Sequence, residues 1–463
     1  MRIKKEVRKI VASVLAFLMV VSLIPVNSLM TKANAASKTT FEGGKTVEDG
    51  TWKGWTWNVF GSSTDVTKAF ATDTGNGGVT LEVTGDKGKI NGSASDQGLN
   101  TFLYELDKSY DFTITAQAKV DTLAANAQAA FGLTIRDNVG AHGNTAKLTA
   151  DKNNFAFVGG YGNQAASGHG NAGYKTTALA HTRLGESPEV GGTYDLAIQK
   201  VGDSVKLYFN GEVAAECSAD DLITDNAMYV GLFAARNAKV TFNNVKLAYT
   251  QDSSSVKVTT NVTAPKKTTY CAGNTYEDVD LTGFKATVSV DGKEREITAS
   301  DCVVDMSNDP FAEVTDAGKL NLLYLGQTIE VPITVIKEVV SDMYIEYMPV
   351  KTDYMVTDTA LDFTGLVGKV VYNSGRTFDL KTLIDSNDTN TKVSDVDFTT
   401  AGNKEVTVSH TYGDVTKEVV IPISVSDATV KNITITSPNT TRFYTDTEYD
   451  ADAYVEGLTI TAD

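Results

Sequence analysis

The chain has 463 residues, of which 41% are hydrophobic and 21% are charged. This composition is typical of folded globular proteins, and the length suggests about three domains at ~150 residues each. Lysine and arginine number 41 against 58 acidic residues, a net charge of −17, which argues against a nucleic-acid partner because phosphate binding needs clustered positive charge. Three cysteines exclude a disulfide-rich scaffold, and the four histidines lie outside any Cys/His cluster that would indicate zinc.

The N-terminus has the order of a secretory signal peptide. Five basic residues within the first nine precede an apolar run over 10–26, and Ala33 and Ala35 place small side chains at the cleavage positions. We predict that residues 1–35 are a signal peptide and that the mature protein is secreted, either free or associated with the cell surface. An uncleaved anchor is the alternative, because the run approaches a membrane-spanning length. No later segment is apolar enough to cross a membrane.

The residues after the signal differ in charge between their two halves. Residues 37–250 carry 18 basic and 23 acidic residues, a net charge of −5. Residues 251–463 carry 17 basic and 34 acidic residues, a net charge of −17. Dense negative charge mainly provides solubility and self-repulsion, so the acidity of the second half need not describe a binding surface in the first.

Residues 37–250 read as strand after strand. The run over 112–118 alternates apolar with polar residues, as expected of a half-buried strand. Strand-like runs over 194–198 and 205–209 flank Gly202, which suits a hairpin turn. Because no linker interrupts this region, we expect a single sandwich of two β-sheets.

A polar linker over 251–255 is followed by an internal repeat. Three marker residues, a proline, a tyrosine and a glycine, recur as Pro265, Tyr270 and Gly283, as Pro349, Tyr354 and Gly365, and as Pro438, Tyr444 and Gly457. The prolines are 84 and 89 residues apart, which is the size of an immunoglobulin-like sandwich. We predict Ig-like domains over 256–337 and 338–427 and the start of a third over 428–463. That third copy stops six residues after its glycine, so we expect a longer protein, and we expect the strand-like run over 433–436 to lack a partner.

Several spaced blocks carry a family resemblance. They are Gly88-Lys89-Ile90-Asn91-Gly92, Phe131-Gly132-Leu133-Thr134-Ile135-Arg136-Asp137 and Val230-Gly231-Leu232-Phe233-Ala234-Ala235-Arg236-Asn237-Ala238. Residues 40–250 resemble a concanavalin-like sandwich found as a noncatalytic module in secreted bacterial polysaccharide lyases, especially pectate lyases. Residues 257–426 resemble bacterial Ig-like domains.

The resemblance implies an all-β protein: a concanavalin-like (jelly-roll) β-sandwich followed by tandem Ig-like β-sandwiches that act as spacers. It implies a polysaccharide partner, a pectic or other plant cell-wall glycan, without specifying which one. Lyase chemistry in that family belongs to a separate catalytic domain, which no region here resembles, so no catalytic residue is named. A cell-surface adhesin or stalk with a sandwich head is the alternative.

The tryptophans are the first candidates for sugar binding, because sugar rings stack on flat aromatic faces. All three fall within 52–57. On a regular strand, Trp55 and Trp57 share one face and Trp52 points to the other. Trp55 and Trp57 are the more natural core residues, which leaves Trp52 as a stacking platform unless a bulge at Gly54 turns it towards them.

A glycine- and asparagine-rich segment over 159–174 provides further candidates. We interpret it as a long irregular stretch, either a saccharide-binding loop or a flexible solvated one. Its aromatic and amide side chains suit a sugar site, and two arginines elsewhere could bind hydroxyl groups by charge-assisted hydrogen bonds or act as structural strand-end pairs. The remaining candidate carbohydrate-binding residues are Tyr161, Asn163, Tyr174, Arg136 and Arg236.

Three other chemistries are weaker. A glycoside hydrolase needs two carboxylates across a cleft, and only Glu105 and Asp107 alternate on a strand, where a solvated face explains them better. Acidic loops suit calcium because it prefers oxygen ligands, but no EF-hand loop is present and no metal ligand is named. Cys271 and Cys302 share the first repeat, and an exported location permits a disulfide without requiring one.

Overall fold

The computed structural model describes residues 39–61, 64–90, 97–125, 128–148, 153–163, 166–175, 179–184, 188–428, 433–437 and 455–462. The predicted signal peptide lies outside these residues. They form two compact units: residues up to 268 with 276–310 and 317–333 belong to the first, and residues 269–275, 311–316 and 334 onward belong to the second. No helix in the described ranges is long and apolar enough to span a membrane.

The large N-terminal domain is built from strands and one single-turn helix. In chain order these are β1 (Thr39–Thr40), β2 (Trp55–Gly61), β3 (Ala69–Asp73), β4 (Val79–Val83), β5 (Gly98–Asp107), β6 (Asp111–Leu123), β7 (Ala130–Arg136), β8 (Phe155–Asn163), β9 (Ala166–Lys175), β10 (Leu179–Arg183), β11 (Thr193–Val201), β12 (Ser204–Phe209), β13 (Glu212–Ser218), α1 (Ala219–Leu222), β14 (Ala227–Ala235) and β15 (Ala238–Thr250). An eight-stranded sheet has the order β1-β3-β4-β15-β6-β11-β12-β13, and a seven-stranded sheet has the order β10-β9-β8-β7-β14-β5-β2. The predicted all-β sandwich is confirmed.

The core of this sandwich follows the predicted alternation. Phe112 and Ile114 of β6 are fully buried between the sheets. The predicted hairpin is confirmed as β11 and β12, whose ends Val201 and Ser204 pair across a turn that contains Gly202. Local alternation and a turn glycine were therefore sufficient to predict these strands.

Two glycines let β7 and β8 approach each other closely. Gly132 and Gly159 are direct partners in this strand pair, with φ of 153° and 151°. A Cβ atom on Gly132 would lie 2.0 Å from the carbonyl oxygen of Val158, and one on Gly159 would lie 2.1 Å from that of Phe131. Both positions therefore require glycine.

The first repeat follows the sandwich. Its strands are β16 (Lys257–Thr263), β17 (Thr269–Cys271), β18 (Lys285–Val290), β19 (Lys293–Thr298), β20 (Val303–Asp305), β21 (Thr315–Tyr324) and β22 (Gln327–Ile336). They form a three-stranded sheet, β16-β18-β19, and a four-stranded sheet, β17-β22-β21-β20, in which β17 runs parallel to β22.

Within the first unit, part of this repeat packs on the outer face of the eight-stranded sheet. The hydroxyl of Thr115 on β6 donates to the carbonyl of Ser300 over 2.6 Å, and the amide of Leu325 donates to Thr113 over 3.1 Å. Val303 packs against Ala197 and Tyr208. Thr113 and Thr115, on the side of β6 that alternation alone assigns to solvent, are therefore covered by protein, whereas Lys119 on the same side stays exposed.

The predicted linker takes part in this packing. Thr250, the last residue of β15, donates a hydrogen bond to the carboxylate of Asp291 over 2.6 Å. The carbonyl of Ser253 accepts from the Gln327 amide over 2.9 Å, and Asp252 caps a 3₁₀ turn at Ser253–Ser255. Residues 251–255 are thus an ordered connection.

The second repeat has the same topology as the first. Its elements are β23 (Val340–Tyr347), β24 (Asp353–Met355), β25 (Val367–Tyr372), β26 (Thr377–Asp379), α2 (Leu380–Asp385), β27 (Thr391–Val393), β28 (Gly402–Tyr412) and β29 (Val415–Ser426). The sheets are β23-β25-β26 and β24-β29-β28-β27, with β24 parallel to β29. The sequence repeat is therefore a structural repeat, whereas its assignment as Ig-like stays a prediction.

After the second repeat, one strand pair is described. β30 (Ile433–Thr436) pairs antiparallel with β31 (Thr459–Ala462). The expectation that 433–436 lacks a partner was therefore wrong, because the partner lies in a short run close to the end of the sequence. The rest of the predicted third repeat lies outside the described residues, apart from 428, 437 and 455–458.

Candidate functional site

The tryptophan cluster belongs to the core, and Trp52 is no exception. Trp52, Trp55 and Trp57 are 4%, 5% and 8% exposed. Trp52 lies in a turn before β2, and Gly54, with φ of 89°, reverses the chain so that all three rings point inward. The Trp52 ring contacts Trp55 and Phe102 edge-on. A buried ring offers no face to a sugar, so Trp52 is removed from the candidate site.

Arg136 is also buried, beneath the outer face of the seven-stranded sheet. Its Nη2 donates to Gln97 Oε1 over 2.7 Å and to Asn153 Oδ1 over 2.5 Å. Its guanidinium lies 5.7 Å from the Phe60 ring centre and 5.1 Å from that of Phe155. Phe60 and Phe155 belong to a second apolar cluster, on the side of this sheet away from the main core.

The burial of Arg136 corrects its predicted role. The side chain is 0% exposed, and burial lowers its pKa to about 10, so it stays charged at neutral pH. Its Nη1 has no hydrogen-bond partner. The arginine therefore holds Gln97 and Asn153 in place beneath the surface, where it cannot contact a polysaccharide.

The neighbouring carboxylate serves the same internal network. Asp137 accepts hydrogen bonds from the backbone and side chain of Asn154 over 2.9 and 2.8 Å, and from Thr224 over 3.1 Å. Burial raises its pKa, while Arg136 and these donors oppose the rise. The carboxylate fixes the turn after β7 to the start of β8.

The segment over 159–174 forms a hairpin, which corrects its interpretation as an irregular loop. β8 and β9 pair antiparallel along it, with Tyr161 opposite His169 and Ala156 opposite Tyr174. Its glycines allow strands to approach closely, so a glycine-rich composition does not exclude a strand. Tyr174 is five positions after His169, so the two backbones are about 17 Å apart along the strand. Tyr161 and Tyr174 are therefore at different ends of the hairpin.

Asn163 lies at the Tyr161 end, with its backbone opposite Ala166. The side chains of Asn163 and Tyr174 lie outside the described part of the structure. The Tyr161 side chain is half-buried and contacts Phe157 edge-on, with 6.0 Å between ring centres. Of the two aromatic candidates whose side chains are described, Trp52 is buried and Tyr161 is partly exposed.

Arg236 is held at the same end of the seven-stranded sheet. It lies in the turn between β14 and β15 with φ of 52°, and its Nε donates to the carbonyl of Gly88 over 3.2 Å. Gly88 has φ of 93°, and a Cβ atom there would lie 3.1 Å from the Gly98 oxygen. This glycine lets the chain pass close to the start of β5, where Lys89 and Gly98 exchange backbone hydrogen bonds of 2.8 and 3.0 Å.

The sheet register brings these groups together. Tyr161 is opposite Ala130, and Ala130 is opposite Ala235, which precedes Arg236. Two strand spacings, about 10 Å, therefore separate the backbones of Tyr161 and Arg236. Lys87 is exposed and Lys89 is half-buried on the segment that Arg236 contacts. We call the surface formed by Tyr161, Arg236, Lys87 and Lys89 the cationic rim.

Sequence reasoning found Tyr161 and Arg236 but not the two lysines. The sequence did contain a hint of these lysines: Lys87 and Lys89 stand on either side of Gly88, in a domain whose net charge is only −5. Their proximity to Arg236 depends on a contact between residues 148 positions apart. Such a rim combines an aromatic face with cationic donors, which is chemistry suited to sugar hydroxyl and carboxylate groups.

The candidate hydrolase carboxylates have an ordinary explanation. Glu105 and Asp107 are both exposed on β5. Asp107 accepts from the Ser109 amide over 2.9 Å in the turn that follows, and hydrogen bonds from Ser109 lower its pKa. A general acid needs the opposite shift.

Cysteine and metal chemistry find little support in the described ranges. None of Cys217, Cys271 and Cys302 forms a disulfide bond. Burial raises the pKa of Cys217 to about 12, so it is a poor nucleophile. Among the described residues, no group of three or more His, Cys, Asp or Glu side chains is placed to hold a metal ion.

Comparison with known sequences gives one informative relative. No family model matches the chain. Pectate lyase L of Thermoclostridium stercorarium is 29% identical over 327 residues, which are 69% of this chain and 24% of that protein. The chain therefore spans about a quarter of the length of this relative.

Comparison with solved structures gives carbohydrate-related proteins at low similarity. Lectin II from Ulex europaeus aligns with 46% of this chain and 98% of its own, at 9% identity and a TM-score of 0.28. The carbohydrate-binding module CBM66 from Bacillus subtilis aligns with 45% of this chain and 98% of its own, at 17% identity and a TM-score of 0.23. TM-scores this low carry no inference about this chain.

Proposed function

We propose that this chain is a noncatalytic, exported region of a modular polysaccharide-degrading protein. The large sandwich binds polysaccharide at the cationic rim, and the repeats hold it at a distance from other parts of the protein. The glycan is pectic or another plant cell-wall polysaccharide. The rim carries this proposal, because it combines a half-buried aromatic side chain, Tyr161, with three cationic side chains in a strongly acidic protein.

The composition of the rim favours a uronate-containing glycan. Three positive charges, on Lys87, Lys89 and Arg236, stand against two acidic neighbours of Lys87: Asp86 is exposed beside it in the sequence, and the Asp65 carboxylate interacts with it electrostatically. The rim is therefore less acidic than the sandwich as a whole, whose net charge is −5, and than residues 251–463, whose net charge is −17. Repulsion from more distant acidic groups is screened within ~8 Å at physiological salt. The relative that matches 69% of the chain is a pectate lyase, which supports a pectic ligand.

A noncatalytic role is supported by the chemistry of the carboxylates. Asp137 has a pKa raised by burial, but its oxygens accept hydrogen bonds from Asn154 and Thr224. Asp107 has a lowered pKa. Neither residue provides the exposed general acid that glycoside hydrolysis uses.

Affinity electrophoresis of the mature chain in gels that contain pectate, xylan or β-glucan tests this proposal. We expect pectate to retard the wild type, with weak binding because one stacked ring contributes only ~1 kcal/mol beyond its buried area. Tyr161→Ala should weaken binding about fivefold. Arg236→Gln should weaken binding to pectate more than it weakens binding to the neutral glycans. Phe70→Ala is the matched control, because Phe70 is 39% exposed on β3 of the other sheet.

The possible results separate the alternatives. Retardation by none of the glycans would overturn the binding proposal in favour of an adhesin or stalk. Equal retardation of folded Tyr161→Ala and wild type would move the site elsewhere on the protein. Loss of pectate retardation in a chelator would show that calcium bridges carboxylates on the two partners, whereas direct binding by the rim predicts no effect. Release of unsaturated or reducing sugars would contradict the noncatalytic role.

A further inference from the structure

The outer face of the three-stranded sheet in the second repeat presents two tyrosines. Tyr344 on β23 pairs with Lys369 on β25, and Tyr347 pairs with Val367. Val367 and Lys369 are two positions apart on one strand, so they lie on the same face, and their cross-strand partners share it. We call these four residues the tyrosine face.

This face is open to solvent. Tyr347 is 69% exposed and Tyr344 is 37% exposed. The chain beyond β23 extends the apolar surface with Met348, 47% exposed, and Val350, 82% exposed. The fold gains little from a tyrosine at position 347, because most of that side chain is hydrated in the folded and unfolded chains alike.

The first repeat shows that the fold does not need these side chains. Its strands β16 and β18 correspond to β23 and β25 of the second repeat. Thr263 is opposite Lys285 in the first repeat, and Tyr347 is opposite Val367 in the second. The marker residues Pro265 and Pro349 fix this alignment, since each stands two positions after the threonine or tyrosine. At the same positions one repeat is polar and the other is aromatic or aliphatic, so the difference concerns the surface rather than the scaffold.

The charges of the tyrosine face argue against a polyanionic partner. Asp342 and Asp379 lie on the same face, opposite Val371 and Lys369. The Asp379 carboxylate accepts from the amide and hydroxyl of Thr382, each over 2.7 Å. Two carboxylates against one ammonium make the surface negative. Nucleic acid and polyuronates would therefore be repelled.

A protein partner also fits this composition poorly. The centres of protein interfaces are depleted in lysine and aspartate, whereas Lys369 is paired directly with Tyr344 within the tyrosine face. A neutral sugar chain suits this mixture, because aromatic rings stack on its C–H faces and charged side chains form hydrogen bonds with its hydroxyl groups.

We propose that the tyrosine face of the second repeat binds a neutral polysaccharide, as a contact separate from the cationic rim. This inference rests on the proposed function, since it makes the second repeat a second binding site of the same polysaccharide-binding protein. Two sites on one chain that engage different glycans of the same wall surface raise the apparent affinity without any new contact at either site.

The test uses the whole mature chain, with affinity electrophoresis in xylan, galactomannan and pectate. Tyr344→Ala/Tyr347→Thr removes both rings and places the residue of the first repeat at position 347. We expect retardation by at least one neutral glycan to weaken about tenfold, and retardation by pectate to stay unchanged. Thr263→Ala/Lys285→Ala is the matched control in the first repeat. Thermal unfolding and size-exclusion chromatography of each variant confirm that it is folded and monomeric.

The outcomes distinguish this proposal from the function on which it rests. Equal retardation of the double variant and wild type by every neutral glycan would overturn the proposal that the tyrosine face binds a glycan. It would leave the proposed binding at the cationic rim unaffected. Retardation of the wild type by no glycan would overturn both. A weakened pectate interaction would contradict the neutral ligand. A wild type that dimerises and a double variant that is monomeric would assign the face to a second copy of the chain. If the double variant does not fold, the same comparison of retardation by the neutral glycans is made with Tyr347→Thr alone.

Discussion

The two repeats share a topology but differ in what their surfaces and interiors contain. Both have a three-stranded and a four-stranded sheet with one parallel strand pair. Val303 of the first repeat is buried against Ala197 and Tyr208 of the sandwich. The second repeat instead buries Glu338 and His410, which are 6% and 1% exposed.

The difference shows which features belong to the scaffold and which belong to one copy. Each copy keeps its proline, tyrosine and glycine markers, and Tyr270 and Tyr354 are 1% and 3% exposed. The packing of Val303 on the sandwich, the buried Glu338 and His410, and the tyrosine face are each described in one copy. Changes at these copy-specific positions should therefore affect one repeat and not the other.

The largest effect is expected at the docking contact of the first repeat. Val303→Asp would bury a carboxylate among Ala197 and Tyr208. Burial, followed by the charge of Asp305, already raises the pKa of Tyr208 to about 12. We expect a loss of about 3–4 kcal/mol of unfolding free energy in the first unit. Thermal unfolding with hydrogen exchange should show faster exchange in β11 and β12. Unchanged exchange there would mean that this contact contributes little.

The next effect is expected at the buried carboxylate of the second repeat. Glu338 forms an ion pair with Arg376, whose Nε donates to it over 2.8 Å, and it also accepts from Ser374. Glu338→Ala should cost about 2 kcal/mol, because it leaves these donors without their acceptor. Ser254 stands 84 positions earlier, in the connection that leads into the first repeat, and is exposed. Ser254→Ala should therefore change stability by less than ~0.5 kcal/mol. Similar losses for both variants would contradict the difference between the repeats.

A pH effect should also separate the two repeats. His410 lies 2.8 Å from the Tyr372 hydroxyl through Nε2 and 2.8 Å from the Thr391 hydroxyl through Nδ1. Burial lowers the pKa of His410, an effect that Asp388 opposes. In the unfolded chain the imidazole titrates near 6.5. Its neutral form therefore supports the folded state fully above that pH, and this support is lost as the pH falls from about 6.5 towards the folded pKa.

Hydrogen exchange of β28 and β21 at pH values between about 7 and 5 measures this contrast, because residues 256–337 contain no histidine. After correction for intrinsic exchange rates, β28 should lose protection and β21 should not. His410→Gln should be less stable at neutral pH and should flatten the dependence. If His410→Gln leaves the pH dependence of exchange in β28 unchanged, groups other than His410 cause that dependence.

The smallest effect is expected on the tyrosine face and its apolar extension. Tyr347→Thr/Val350→Lys gives the second repeat the residues of the first at two exposed positions. Because both side chains are mostly solvated, the unfolding free energy should change by less than ~0.5 kcal/mol. Urea unfolding measures this change. A loss above ~1 kcal/mol would show that these side chains stabilise the repeat itself, which would remove the physical basis for assigning them to a ligand.

The cationic rim was partly predictable. Tyr161 and Arg236 carry the right chemistry in the sequence, and the structure places both at one end of the seven-stranded sheet. Arg136 carries the same chemistry as Arg236 and is fully buried. No local pattern distinguishes the two arginines, because the groups that enclose Arg136, Gln97 and Asn153, are 39 and 17 residues away.

The sequence alone determined the all-β class, the strands that alternate clearly, the turn at Gly202 and the repeat, but not the glycine-rich strands β8 and β9. The strands and the turn depend on residues close in the sequence: alternation selects the core face of β6, and Gly202 permits the turn between β11 and β12. The spaced proline, tyrosine and glycine markers define each repeat. Tertiary structure alone decided which polar faces meet solvent. Thr113 and Thr115 alternate as solvent-facing residues should, yet they are 2% and 8% exposed under the first repeat. The reason is physical: alternation states which side of a strand is apolar, whereas burial of the other side depends on what packs there from a distant part of the chain.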